Sequence, residues 1–295
     1  MPCTSVFWNS KSGRASEIEA LRIELTGENY NLVDLASITN LRYCLEVSVG
    51  EGCRTIVAAG GDGTINALVN ALMVIAPERR PTLGIIPLGT ANDFAGTLSI
   101  PDDVASAAKL FRTSTAVPVD VVQIRSDGSE RYFANIAAGG NCVRVSEAIT
   151  DEIKSTWGPF AYIRGAIDVL PDMTTHRITA ICDGEEFANL GSWAVLVANG
   201  KTNAGRIVVA PKASPVDGLI DVIIIRDGTV ADMVQIVANN LLGSFLECEQ
   251  VIFRQVKALE LRSEPAMRFT LDGEIIDQEP IHFRVIPGAI RMHVG

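Results

Sequence analysis

The chain has 295 residues, of which 47% are hydrophobic and 20% charged, a globular composition that excludes a long disordered tract and, at about 100–200 residues per domain, predicts two domains. Its formal net charge of -10, with no run of Lys and Arg, excludes a surface built to neutralise a polyanion, so no nucleic-acid partner is expected.

From the N-terminus the pattern alternates short apolar strands with stripes of helical period. Strands are predicted at Ser5 to Trp8, Asn31 to Leu35, Thr55 to Ala59 and Thr82 to Ile86. Between them run Ile18/Leu21/Leu25, Ile38/Leu41/Leu45/Val49 and Ile65/Leu68/Val69/Leu72, each a single apolar face. Strand and helix in alternation predict an α/β domain over residues 1–118. After Pro118 the character becomes β-rich, with strands expected at Val119 to Ile124, Arg131 to Ala137, Ile178 to Cys182, Trp193 to Ala198 and Asp221 to Arg226. Asp-Gly pairs, at Asp127, Asp183, Asp217, Asp227 and Asp272, suit tight turns that need positive φ. The expectation is a mainly antiparallel β-sandwich domain over 119–285, interrupted by helices near Ala161 to Leu170 and Val230 to Leu242, with residues 286–295 returning to the first domain. The aromatic group Trp157 to Tyr162 reads as core packing or as a lip for lipid chains.

The six cysteines are scattered without a Cys-x-x-Cys pair, which favours neither a zinc ribbon nor a disulfide framework and fits a reducing cytoplasm. The start, Met1-Pro2-Cys3-Thr4-Ser5, lacks the basic and long apolar stretches of a secretion signal, and the most apolar run, Leu219 to Ile225, is broken by Asp221.

The strongest local signal is Ile56-Val57-Ala58-Ala59 running into Gly60-Gly61-Asp62-Gly63-Thr64 and then a helical stripe. Glycines let backbone N–H groups approach a phosphate without a Cβ in the way, and the helix N-terminus adds unpaired donors and the positive dipole end. A carboxylate at Asp62 repels phosphate unless a divalent cation or a hydroxyl donor intervenes, so it implies Mg2+ or proton transfer; the alternative is an ordinary turn with Asp62 as helix N-cap. Neither a Gly-x-x-x-x-Gly-Lys P-loop nor a full dinucleotide fingerprint occurs. Only His176, His282 and His293 are available as imidazole bases, each isolated from the glycine motif, so Glu or Asp is the expected proton acceptor.

A second motif, Pro87-Leu88-Gly89-Thr90-Ala91-Asn92-Asp93-Phe94, follows the strand ending at Ile86. Together with Gly60 to Thr64 it resembles the catalytic domain shared by diacylglycerol kinases and sphingosine kinases, in the soluble bacterial lipid-kinase branch. Two later stretches extend the resemblance over nearly the whole chain: Asn199-Gly200 through Pro211 to Val222 is similar to the family's metal segment, and Leu271-Asp272-Gly273-Glu274 to its catalytic tetrapeptide.

That resemblance implies ATP as phosphate donor, lying across the C-terminal ends of the first-domain strands and contacted by Asn9, Ser10, Lys11, Ser12, Gly13, Gly60, Gly61, Asp62, Gly63, Thr64, Ile65, Asn66 and Thr90. It implies Glu274 as proton acceptor, with Asp272 and Asp62 assisting, and Mg2+ held by Asp217, Ser214 and Leu219, the last through its carbonyl. A lipid alcohol, diacylglycerol foremost, would be the acceptor, with transient contact at a membrane surface and a homodimer as the family's assembly. Two departures stand out. The first loop, Asn9 to Gly13, has Ser10 where the family has Pro, and a nucleotide-contacting Thr of the family falls near Asp34, so that role is not carried over. Rival readings are an NAD kinase-like phosphotransferase and a lipid-binding regulator without turnover.

Overall fold

The computed structural model describes residues 3–26, 29–126, 128–148, 173–203, 205, 207–241, 243–272, 274–276 and 281–295. The expected helix near 161–170 and the aromatic group at 157–162 lie outside them. The chain divides into two compact units, 1–121 with 286–295, and 122–285.

In the first unit β1 (Cys3–Trp8), β2 (Tyr30–Asp34), β3 (Cys53–Gly60) and β4 (Thr82–Pro87) form a parallel sheet in the order β2-β1-β3-β4. Parallel strands need crossover helices on the faces. α1 (Ile18–Glu24), α2 (Leu41–Gly50) and α3 (Asp62–Met73) make those crossovers; α1 and α3 bury the apolar stripes seen in the sequence, whereas α2 starts after Ile38 and buries only Leu45 of its stripe, with Leu41 and Val49 half-buried. Covered strands read as continuous apolar runs, and Ile56, Val57, Ala58 and Ala59 are all fully buried. Two further helices, α4 (Asp93–Thr97) and α5 (Val104–Thr113), follow β4. The second of these was legible but missed: Val104, Ala107, Ala108 and Phe111 are buried at helical spacing, and Asp103 caps the helix by accepting the Ser106 N–H at 2.8 Å.

Residues 286–295 are tied into this unit. Met292 pairs in parallel with Leu83, the His293 N–H donates to the Leu83 carbonyl at 3.1 Å, and the Gly288 N–H donates to the Asp120 carboxylate at 2.7 Å. Cys53 is disulfide-bonded, although the scattered cysteines suggested no disulfide framework. Its Cα stands opposite that of Cys3 across β1 and β3, a proximity created by strand register that a linear search for nearby cysteines does not contain.

The second unit is antiparallel. Its strands are β5 (Val117–Ser126), which begins in the first unit, β6 (Ser129–Phe133), β7 (Ile136–Gly140), β8 (His176–Cys182), β9 (Glu185–Ala198), the short pair β10 (Thr202–Asn203) and β11 (Ile207–Val208), β12 (Ile220–Arg226), β13 (Val251–Val256), β14 (Ala258–Glu264), β15 (Phe269–Leu271), β16 (Glu274–Ile276) and β17 (Ile281–Met292), which runs on into the first unit. The long β9 pairs with β8 through its first half and with both β7 and β12 through its second. Inward side chains of β8, β14 and β17 meet those of β7, β9, β12 and β15 in one core that includes Ile178, Leu261, Phe283, Val195, Val222 and Phe269. On the other face of β7, β9 and β12 lies a second cluster. It contains Leu196, Ile223 and Ile236, the last from helix α7 (Val230–Leu241). Helix α6 (Asn141–Ala148) follows β7.

The strand expected over Arg131 to Ala137 is broken: β6 stops at Phe133, Ala134 and Asn135 bend, and β7 starts at Ile136. The amides on either side of Asn135 donate to a side chain instead of a ladder, as shown below. Asp183, at φ 48°, and Gly184, at φ 94°, form the expected tight turn between β8 and β9.

Candidate functional site

At the C-terminal ends of the first unit's strands, three loops converge. The loop after β1 is fixed by the Asn9 N–H donating to the Ala59 carbonyl at 3.0 Å and by the Lys11 N–H donating to Asn9 Oδ1 at 2.9 Å. A Cβ on Gly13 would come within 2.8 Å of Thr90 Oγ1, so this loop touches the one after β4. The loop after β3 meets the same partner backbone to backbone. The Leu88 N–H donates to the Gly60 carbonyl at 3.0 Å, and a Cβ on Gly89 would lie 2.4 Å from the Gly61 Cα. Only glycine fits such an approach. Asn9 to Gly13, Gly60 to Thr64 and Thr90 are thereby brought together. Ile65 and Asn66 are turned inward on α3, and Asn66 accepts from the Asn70 amide at 2.8 Å.

Gly60 must also be glycine, since a Cβ there would lie 2.2 Å from Thr64 Oγ1, a buried hydroxyl oxygen with no hydrogen-bond partner. Gly63 differs. It lies exposed in the first turn of α3, and a Cβ there would meet no atom within 4 Å. Helix geometry leaves the N–H groups that open that turn, those of Asp62 and Gly63, without intrahelical acceptors, whereas those of Thr64 and Ile65 donate to the Gly61 carbonyl at 2.9 and 3.2 Å.

Asp62 does not cap the helix it begins; Gly61 holds that position. Its two carboxylate oxygens accept the Asp93 N–H at 3.1 Å and the Phe94 N–H at 3.0 Å, so it caps α4 and ties the β3 loop to the β4 loop. Burial pushes its pKa up; the Phe94 N–H opposes the shift and neighbouring Asp93 adds to it. Asn92, in the left-handed region at φ 52°, closes the turn by accepting the Gly89 N–H at 2.9 Å and donating to the Gly89 carbonyl at 3.0 Å. Asn tolerates that conformation better than other side chains.

Sequence reasoning missed Arg14. Its guanidinium donates to the carbonyls of Pro87 at 3.2 Å and Asp102 at 3.1 Å while pairing with Glu17 at 2.6 Å. No local pattern announces this, because its partners are main-chain oxygens far along the chain. Asp34, the departure from the family pattern, accepts the Ala36 N–H at 3.0 Å and the Ser10 N–H at 3.3 Å, and these contacts lower its pKa, the Ala36 N–H most. Its carboxylate therefore holds the β1 loop.

In the second unit Leu271 of β15 pairs with Glu274 of β16, and Asp272 follows β15 at φ 45°. Asp272 accepts the Ile136 N–H at 3.2 Å and the Ala134 N–H at 3.4 Å, the two amides that flank the break between β6 and β7.

The segment expected to hold a metal presents Asp217, whose Oδ1 accepts the Leu219 N–H at 3.0 Å, and Ser214, whose carbonyl accepts the Asp217 N–H at 3.4 Å. Asp221 is buried. One carboxylate oxygen accepts from the Gln255 amide at 3.0 Å and the other has no partner. Its pKa is pushed up to about 6, chiefly by burial, with the Asp217 charge adding. Two carboxylates and main-chain oxygens suit a hard cation. No group of three His, Cys, Asp or Glu side chains able to hold a metal occurs among the described residues. No helix among the described residues is long and apolar enough to cross a membrane.

Comparison with known proteins agrees with this architecture. The family model for the diacylglycerol kinase catalytic domain matches residues 4–124, and the model for the YegS C-terminal NAD kinase beta sandwich-like domain matches 134–294. A diacylglycerol kinase of Staphylococcus carnosus is 33% identical over 235 residues, covering 79% of this chain and 74% of that one. Among solved structures, a diacylglycerol kinase from Bacillus anthracis aligns with TM-score 0.74 at 20% identity, covering 100% of this chain and 97% of that one. An NAD kinase from Archaeoglobus fulgidus, solved with ATP, aligns with TM-score 0.55 at 14% identity, covering 100% of this chain and 91% of that one, and shares the fold. With both family models matched in order over nearly all of its length and a relative one-third identical, the chain belongs to the diacylglycerol kinase family.

Proposed function

We propose that this protein transfers the terminal phosphate of ATP to the hydroxyl of a lipid alcohol, diacylglycerol first among the candidates. The observation that carries the reading is the contrast among the loop glycines: Gly60 and Gly89 are required by neighbouring protein atoms and a Cβ on Gly61 would press on the Gly89 Cα at 3.1 Å, whereas Gly63 at the start of α3 has open space. A glycine exposed at a helix N-terminus, where a Cβ has open space, gives a phosphate direct access to main-chain N–H groups.

Asn9 to Gly13 and Thr90 complete the nucleotide's surroundings, with Lys11 exposed to supply positive charge. Asp62 holds the loops in register, while the cation that ATP carries and the N–H groups of the glycine loop offset charge on the transferring phosphoryl group. Glu274 accepts the proton of the lipid hydroxyl and Asp272 assists, so the protein's share of catalysis is positioning and electrostatics. Asp217, with the carbonyls of Ser214 and Leu219, would hold Mg2+, which supplies local positive charge and order to that segment. A lipid acceptor implies transient contact with a membrane surface from the cytoplasm, and the family relationship supports a homodimer.

The test incubates the purified chain with labelled ATP, Mg2+ and separate micellar panels of diacylglycerol, sphingoid bases and other lipid alcohols, with NAD as a further arm. A labelled lipid phosphate is expected, abolished by Glu274→Ala in folded protein. Labelled NADP in place of lipid phosphate would replace the reading with the NAD kinase one, and nucleotide binding without transfer to any acceptor would favour the silent lipid binder.

A further inference from the structure

We infer that Asn135, which no sequence motif singled out, is a positioning residue for the Asp272 carboxylate. The inference rests on the role of Asp272 beside Glu274 proposed above. Asp272 is held by the N–H groups of Ala134 and Ile136, the immediate neighbours of Asn135, and donates its own N–H to the Ile136 carbonyl at 3.4 Å. Those amides face a side chain because the strand breaks between Phe133 and Ile136.

Asn135 is held within the break by the segment 199–202. Its carbonyl accepts the N–H groups of Asn199 at 2.9 Å and Gly200 at 3.0 Å, and its Nδ2 donates to the Thr202 carbonyl at 3.0 Å. Asn199 answers from the other side, its Nδ2 donating to the Ala134 carbonyl at 2.7 Å. Four hydrogen bonds thereby clamp the peptide units of residues 134 and 135 to the segment 199–202, which fixes the direction of both amides that Asp272 accepts.

The clamp is interior, with Asn135 4% exposed and Asn199 fully buried. Asn135 Oδ1 is buried without a partner. A buried acceptor left unsatisfied opposes folding, so the side chain is not one that stability alone would select. A shorter side chain removes the donor to Thr202, one of the four bonds, and loosens the clamp that the remaining three contacts to the main chain hold, so that the N–H groups of Ala134 and Ile136 are aimed less firmly at Asp272.

The test is a double-mutant cycle in the full chain, with Asn135→Ala, Asp272→Asn and the pair, assayed with ATP and diacylglycerol micelles and with kcat referred to the folded fraction measured by near-UV circular dichroism. Asn135→Ala is expected to lower kcat at least tenfold, to change KM for ATP less than twofold and to move the acid limb of the kcat pH profile. In the Asp272→Asn background the same substitution is expected to change kcat less than twofold, because its effect passes through Asp272. A kcat within twofold of wild type for Asn135→Ala, or losses that multiply in the double variant, overturns the inference. Wild-type kcat in Asp272→Asn alone overturns the underlying reading as well, and that arm reports it separately. If Asn135→Ala does not fold, Asn135→Ser takes its place in the cycle, and failure of both to fold makes Asn135 a folding residue and overturns the inference.

Discussion

Replacing Gly63 with Ala separates the needs of the fold from those of the ligand. Gly63 lies in the first turn of α3, without positive φ, and a Cβ there would meet nothing within 4 Å. Folding alone therefore favours alanine, which restricts the unfolded chain and suits a helix better, by about 0.5–1 kcal/mol. That gain corresponds to a rise of roughly 2–5 °C in the melting temperature. ATP binding should move the opposite way. If a phosphoryl oxygen approaches the first-turn amides, the added methyl keeps it from one hydrogen bond to a charged group, about 1.5–3 kcal/mol, or roughly a ten- to hundred-fold rise in Kd. Thermal denaturation of the free protein and calorimetric titration with ATP measure the two effects independently. A Gly63→Ala protein that is more stable and binds ATP as tightly as wild type would refute the assignment of this turn to the phosphates.

Gly89→Ala is its architectural counterpart. The new methyl would overlap the Gly61 Cα at 2.4 Å and Asn92 Oδ1 at 2.7 Å, so the two loops must part by about 1 Å to reach ordinary contact near 3.5 Å, and a loss of about 2–4 kcal/mol from overpacking and broken hydrogen bonds is expected in urea unfolding. Asp62→Ala removes the acceptor for two N–H groups of α4 and is expected to cost about 1–2 kcal/mol by the same measurement; unchanged stability would confine Asp62 to chemistry. Because burial raises the Asp62 pKa, its contribution is greatest where the group is protonated and is lost as pH rises through the folded-state pKa. The stability of wild type relative to Asp62→Asn should accordingly increase as pH is lowered from 7 toward 4, and a difference independent of pH would contradict the shift. Asp217→Asn should abolish any Mg2+-induced rise in melting temperature, and a rise equal to that of wild type would remove Asp217 from the metal site.

How much was legible follows from the range of each interaction. The strand, glycine loop and helix at Val57 to Leu72 could be read because period, glycine content and burial are all local there. The break at Ala134–Asn135 could not, since Arg131 to Ala137 has good strand composition and what interrupts it is Asp272, just past β15, and the segment 199–202. Arg14 was invisible for a similar reason: its acceptors are main-chain oxygens of Pro87 and Asp102. For Asp62 the sequence indicated an unusual carboxylate in a glycine loop, but not that its partners would be the amides of Asp93 and Phe94. A resemblance carried residue by residue names who is present at a site and leaves unstated what holds them.

The return of residues 286–295 to the first unit bears on how the protein is made. A ribosome finishes the contiguous stretch 122–285 before it delivers the strand end that pairs Met292 with Leu83, so the half encoded later can acquire its full set of neighbours sooner. The N-terminal half must wait, one edge of β4 lacking its last partner, until residues 286–295 have been made. Its completion then depends on loop closure across the whole intervening domain, a delay paid in entropy and in time spent exposed to misassembly.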